Sequence, residues 1–254
     1  MTVVDTRPVP AIRDIRTPRV IEVRYLSQAE RGEVLAEVNA ALEGASAQEI
    51  ARWAAHHFGD KLVIASSMQD TVIPHLFGQA APGVDVVFLD TGYHFPETLA
   101  TRDEVRRRFP VTVLNITPRQ TVAEQDADYG PRLHDNDPDL CCFLRKVEPL
   151  AAAMDGRHAW VTGLRRSESP ARALTPVVSW DPKNDMVKVC PLVDWTDDDV
   201  EAYQVEHDLP RNPLIAAGYP SIGCAPCTRK VAPGADPRSG RWAGKGKVEC
   251  GIHI

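Results

Sequence analysis

Six cysteines stand at positions 141, 142, 190, 224, 227 and 250 of the 254-residue chain, and four of them form two tight pairs. One pair is the adjacent Cys141 and Cys142 of "DLCCFLRK"; the other is the C-x-x-C of "SIGCAPCTR", Cys224 and Cys227. Adjacent cysteines do not close an ordinary disulfide, because that bond wants Cα atoms roughly 4.4–6.8 Å apart and an S–S torsion near 90°. Together the pairs offer four thiolates, enough for one zinc ion or for an iron–sulfur cubane. Adjacency favours the cubane: neighbouring side chains at one helix start can each take a different iron, whereas a single zinc draws both sulfurs into one small tetrahedron. A redox-active C-x-x-C and a set of merely buried small residues are the competing readings. Cys190, inside the apolar "VCPLVDW", reads as a small core residue. Cys250 lies four residues from the chain end in "KVECGIHI", just after "GKGK". A thiol on such an arm, with cations nearby to favour its thiolate, is a candidate nucleophile; a solvated basic loop is the plain alternative.

The elements that must position these groups follow from periodicity. "SAQEIARWAAHHFG" opens with a capping box, Ser46 and Glu49, and closes on Gly59, which predicts a helix. Short β-rich runs, "KLVIASS", "VDVVFLDTG", "VTVLNIT" and "HAWVTGL", alternate with helix-like segments such as "PETLATRDEVRRRF", and Thr196 N-caps a further helix, "WTDDDVEAYQVEH". Alternation of this kind predicts a single α/β domain with a mostly parallel, Rossmann-like twisted sheet flanked by helices and ligands at the carboxyl ends of its strands. The loops "SSMQD", "DTGYHFPE" and "GLRRSESPAR" leave such ends. Residues 1–24, rich in Pro and Arg, read as a disordered tail, residues 25–220 as the α/β domain, and residues 221–254 as a C-x-x-C loop running into a mobile catalytic C-terminal tail. With 43% hydrophobic and 25% charged residues the composition is ordinary, and a net charge of −6 with a pI near 5.8 argues against nucleic-acid or anionic-membrane partners. No apolar run exceeds five residues and no secretory signal stands out, so a cytoplasmic protein with reduced thiols is expected.

The motifs "LDTGYHFPET", "CCFLRKVEPL", "GLRRSESPAR", "SIGCAPCTR", "GRW" and "ECGIH", in this order over residues 45–254, resemble the assimilatory sulfonucleotide reductases, and among them the bacterial adenosine-5′-phosphosulfate (APS) reductases. The resemblance implies an adenine nucleotide alpha hydrolase-like fold and one 4Fe-4S cluster held by Cys141, Cys142, Cys224 and Cys227. It further implies that Cys250 attacks the sulfur of APS, expelling AMP, and that thioredoxin then reduces the S-sulfocysteine and releases sulfite. Reductases of the 3′-phosphorylated nucleotide (PAPS) mostly lack the paired cysteines. No glutaredoxin-like segment follows "ECGIHI", so the electron donor is expected to be a separate protein.

The residue chemistry agrees. A thiolate attacking a sulfonate brings one anion onto another, and the leaving phosphate gains charge, so cations are needed around both. Lys146, Arg172, Arg238 and Arg241 are the candidates, with Ser66 and Thr91 at strand ends where a nucleotide would lie. Lys146, four residues after Cys142, falls on the same face of a helical "CCFLRKVEPL", between cluster and sulfate. "ASSMQD" departs from the glycine-bearing phosphate loop of related α/β proteins, which weighs against an ATP-dependent thiolating enzyme. PAPS reduction and an iron–sulfur redox sensor complete the alternatives.

Overall fold

A computed structural model describes residues 18–247 and 249–252. The sheet has six strands in the order β3-β2-β1-β4-β6-β5. In chain order these are β1 Leu62–Ala65, β2 Asp85–Leu89, β3 Thr112–Ile116, β4 Ala159–Val161, β5 Val178–Asp181 and β6 Met186–Val189. All pairings are parallel except β5 with β6, a hairpin that closes one edge antiparallel. The helices are α1 Gln28–Ala41, α2 Ala47–Phe58, α3 Val72–Ala80, α4 Pro96–Arg108, α5 Val122–Tyr129, α6 Leu133–Asn136, α7 Pro138–Cys142, α8 Glu148–Met154 and α9 Asp197–Glu206. The expected caps are present: Ser46 and Glu49 form a reciprocal capping box at α2, Gly59 ends it, and Thr196 caps α9.

Period-two alternation sorts the central strands between two cores. Leu62 and Ile64 of β1, Val86 and Phe88 of β2, and Ala159 and Val161 of β4 pack on one side with Trp53 of α2 and Phe77 of α3. Val63, Val87 and Trp160 point the other way, onto Leu150 and Met154 of α8. Burial on both faces is what made these strands read as continuous apolar runs. The strand order reverses between β1 and β4, which places the topological switch point at the ends of "KLVIASS" and "HAWVTGL".

One boundary is corrected. Residues 18–24 belong to the stretch whose composition predicts a disordered tail, yet Pro18–Tyr25 forms a 3₁₀ helix whose Val20 and Val23 are buried in the larger core. Two apolar side chains three apart satisfy a 3₁₀ turn but make too short a pattern to stand out among prolines and arginines. Residues 1–17 lie outside the described residues. From residue 221 the described chain is mostly loop, as expected, apart from a 3₁₀ turn at Ala225–Cys227.

Candidate active site

Asp137 begins the cysteine-bearing segment by accepting the Leu140 N–H at 2.9 Å, and Pro138 occupies the first turn of α7, so Cys141 and Cys142 fall at its end. The helix then widens into a π turn over Phe143–Val147, closed by Glu148 N–H to Phe143 O, before continuing as α8. Pro149 lacks the N–H that a regular helix would send to Arg145 O, which accounts for the widening there. The turn aims two cations inward. Arg145, 3% exposed, donates from Nε to Thr91 O at 2.6 Å and from Nη1 to Gln125 Oε1 at 2.9 Å. Gly92, at φ +74°, leaves room for it: a Cβ there would stand 3.1 Å from Arg145 Nη2. Lys146 lines both the main cleft and the small pocket that holds the cysteines.

The four paired cysteines are buried and line that one small pocket with Tyr93, His134 and Trp242. Thr91 and Cys224 share an Oγ1–Sγ hydrogen bond of 3.3 Å, and Cys227 N–H closes the 3₁₀ turn onto Cys224 O at 2.9 Å. Burial, with Cys224 and Cys227 beside it, pushes the Cys141 thiol up to about 12. Among the described residues no three His, Cys, Asp or Glu side chains are arranged to hold a single metal ion. A zinc ion needs its sulfurs drawn together on one centre; a cluster in which every thiolate takes its own iron needs a wider set around one pocket. The four thiols lining this pocket supply a donor set chemically suited to a thiolate-ligated metal centre.

The main cleft opens at the switch point. Ser66, Thr91, Lys146, Arg172, Arg238, Arg241 and Cys250 all line it, so every predicted substrate-side residue is brought to one place with the tail cysteine. Ser66 sits in a turn made without glycine: Met68 takes φ +58°, buries its side chain and donates its N–H to Ser66 Oγ at 3.3 Å. Thr91 borders the cleft but is fully buried, and its hydroxyl serves Cys224 and the Tyr93 N–H.

The tail is docked across this cleft. The Trp242 side chain packs on Cys142, Cys224 and Cys227, and its backbone N–H donates to Cys227 O at 3.0 Å. Lys245 Nζ donates to His134 O and Asp135 Oδ1, both at 2.6 Å, and Lys247 pairs with Asp139. Cys250 packs against Cys142, and that contact lowers the Cys250 thiol well below the usual range. Burial opposes the lowering, while Lys146 and, less strongly, Arg241 add to it, and their contribution does not depend on Cys142 keeping its proton. Lys146 itself stays charged although burial works against it, because Cys224 and Cys250 hold its pKa up. Among the described residues neither Lys146 nor Arg241 has a carboxylate partner; Arg241 instead donates to Ser221 Oγ at 3.3 Å and Ile222 O at 3.2 Å. Sequence reasoning missed Arg145, Trp242 and Glu249. The first two stood inside the quoted motifs "CCFLRK" and "GRW", and Glu249 inside "ECGIH".

A doubly covered, mostly parallel sheet with cations and a cysteine in the cleft at its switch point defines an α/β protein built to hold an anionic ligand there. The chain belongs to the phosphoadenosine phosphosulfate reductase domain family, whose model matches residues 61–230. It is 60% identical over 212 residues to an adenosine 5′-phosphosulfate reductase of Streptomyces coelicolor, covering 84% of this chain and 90% of that one. It is 52% identical over 241 residues to the reductase of the same name from Mycolicibacterium smegmatis, with 95% and 99% covered. The crystal structure of a phosphoadenylyl-sulfate reductase from Candida auris superposes with a TM-score of 0.66 at 31% identity, over 81% of this chain and 98% of that one. A Candida glabrata FMN adenylyltransferase, 14% identical with a TM-score of 0.53 over 87% of this chain and 80% of that one, shares the fold alone.

Proposed function

We propose that the protein reduces adenosine-5′-phosphosulfate to sulfite and AMP, with Cys250 as nucleophile. The observation that carries the reading is the position of Cys250: its sulfur shares the switch-point cleft with Lys146 and Arg241, two cations without a carboxylate partner among the described residues. The Cys250 thiolate attacks the sulfonate sulfur, an S–S bond forms, and the S–O bond to the phosphate breaks with its electron pair leaving on AMP. Lys146 and Arg241 offset the charge that develops on the sulfonate and phosphate oxygens, and Arg172 and Arg238 extend the positive rim of the cleft. Ser66 and Thr91 mark the strand ends that receive the nucleotide. A dithiol donor of the thioredoxin class then attacks Cys250 Sγ, sulfite leaves, and a second thiol resolves the mixed disulfide, so that two electrons pass as a pair. Cys141, Cys142, Cys224 and Cys227 hold one 4Fe-4S cluster, which would supply a structural tie between the two segments and an anionic neighbour for Lys146. A single cubane passes electrons one at a time, so the two-electron reduction is assigned to thiols.

The test is intact-protein mass spectrometry after incubation with APS and no reductant. The wild type gains one SO₃ group and releases AMP, whereas Cys250→Ser binds nucleotide, retains iron and gains nothing. A normal adduct on the variant, or on another cysteine, would show the nucleophile to be wrongly assigned. Parallel assays with APS and PAPS separate the two nucleotides.

A further inference from the structure

Glu249, next to Cys250, is only 7% exposed, although it carries a charge. A carboxylate withdrawn from water in this way is stable only when paired and hydrogen-bonded. Arg172 meets it with two parallel bonds, Nε to Oε1 at 2.9 Å and Nη2 to Oε2 at 2.7 Å. Arg238 Nη2 adds a third, to Oε2 at 3.1 Å. Arg172 is fixed in turn by Glu168, four residues earlier in the same loop. On the other side of Cys250, Lys183 Nζ donates to Gly251 O at 3.0 Å. The reactive thiol is thus bracketed by a buried ion-pair network and a backbone contact, in a segment with no regular secondary structure of its own.

We infer that Glu249 is a positioning residue: its carboxylate, clamped by Arg172 and Arg238, latches the tail so that Cys250 is seated beside Lys146 and Arg241. The inference rests on the reading of Cys250 as nucleophile. It divides the four cations of the cleft by task. Arg172 and Arg238 spend their directional bonds on the chain's own carboxylate and lend the substrate only their charge, while Lys146 and Arg241, unpaired with any described carboxylate, are left to meet the substrate's anion directly. A fork-to-fork arginine–carboxylate pair fixes angle as well as distance, which suits a latch that must return a thiol to one place after each encounter with a bulky reductant.

The experiment has two independent arms. The first uses the full chain without nucleotide and follows alkylation of Cys250 by iodoacetamide through peptide mass spectrometry. Rates are compared on the alkaline plateau, where the thiol is fully ionised and only its accessibility differs. Glu249→Gln and Arg172→Gln should each speed alkylation about 10-fold or more, the double variant no further, and Glu249→Asp should stay nearer the wild type. The second arm measures single-turnover adduct formation at saturating APS together with AMP affinity by calorimetry. Glu249→Gln should slow adduct formation about 10-fold or more while changing the AMP Kd less than about 3-fold. An unchanged alkylation rate, or additive effects of the two substitutions, overturns the latch. So does AMP binding that tightens about 10-fold in Glu249→Gln, because Glu249 would then be standing in for the substrate's anion. If wild type forms no adduct on Cys250, it is the nucleophile assignment that fails, and the alkylation arm still decides whether the latch exists.

Discussion

At the scale of single residues the proposed chemistry turns on two cations that share a cleft with a thiol and have no carboxylate partner among the described residues. Lys146 and Arg241 border the cleft at Cys250, in a chain whose net charge is −6, so their positive charge is a local feature set against the whole. Charge-assisted contacts in such a site contribute roughly 1.5–3 kcal/mol each, so Lys146→Ala and Arg241→Ala should each lower kcat/KM by roughly 10- to 150-fold in steady-state assays with APS. Wild-type kinetics in both variants would reduce these residues to ordinary surface charge. The cysteine pairs and these cations were legible in the sequence as candidates from residue type and spacing, and they line neighbouring pockets in the structure. Glu249 was not, because its role exists only when the tail meets Arg172, 77 positions away, and an acid before a cysteine has no local signature. Thr91 was placed at the right strand end, but its hydroxyl faces a cysteine, a contact across 133 positions that no spacing rule reaches.

At the scale of elements, the stretch from 223 to 242 is short of regular structure and holds its shape by close backbone approach. Arg229 N–H donates to Gly240 O at 2.8 Å, Thr228 and Arg241 form an antiparallel bridge, and Trp242 N–H reaches Cys227 O. A Cβ on Gly240 would run into Arg229 O and lie 2.9 Å from Val231 Cγ2. The obstacle is main chain and not the end of a flexible side chain, so Gly240→Ala must push the two segments apart. Overpacking of this kind costs about 1–3 kcal/mol, read as a lower midpoint in denaturant unfolding with an unchanged slope. The same shift should carry Arg241 away from the cleft and weaken AMP binding. Unaltered stability and binding would mean the bridge relaxes freely and does not position the arginine. α2 and α9, each opened by a capping box, and α4, opened by Pro96, were readable, whereas the π turn and the β5–β6 hairpin were not. The π turn results from Pro149 acting within an otherwise helical pattern, and the hairpin strands are only four residues each.

At the scale of the molecule, the two cysteine pairs belong to segments about 80 residues apart, between which lie β4, the arginine-bearing loop, the β5–β6 hairpin and α9. The segment that connects them runs through both cores, α8 and β4 among its elements, while the two cysteine pairs themselves line one pocket beside those cores. Metal ligation by all four thiols would close that long excursion, and binding free energy of this kind appears as folding free energy because the unfolded chain has no preformed site. It also requires thiols that burial keeps protonated, as at Cys141, to give up their protons to the metal. Cys227→Ser replaces one sulfur by an oxygen of similar shape, so it isolates ligation from packing. Purified anaerobically, the wild type should contain iron and sulfide and absorb in the visible, while Cys227→Ser should lose the iron and unfold at a lower temperature. After removal of iron from both, the two midpoints should coincide, because what separates them is the tie and not the core. A persistent difference without iron would place the effect in side-chain packing, and a colourless wild type with stoichiometric zinc would replace the cluster by a mononuclear site.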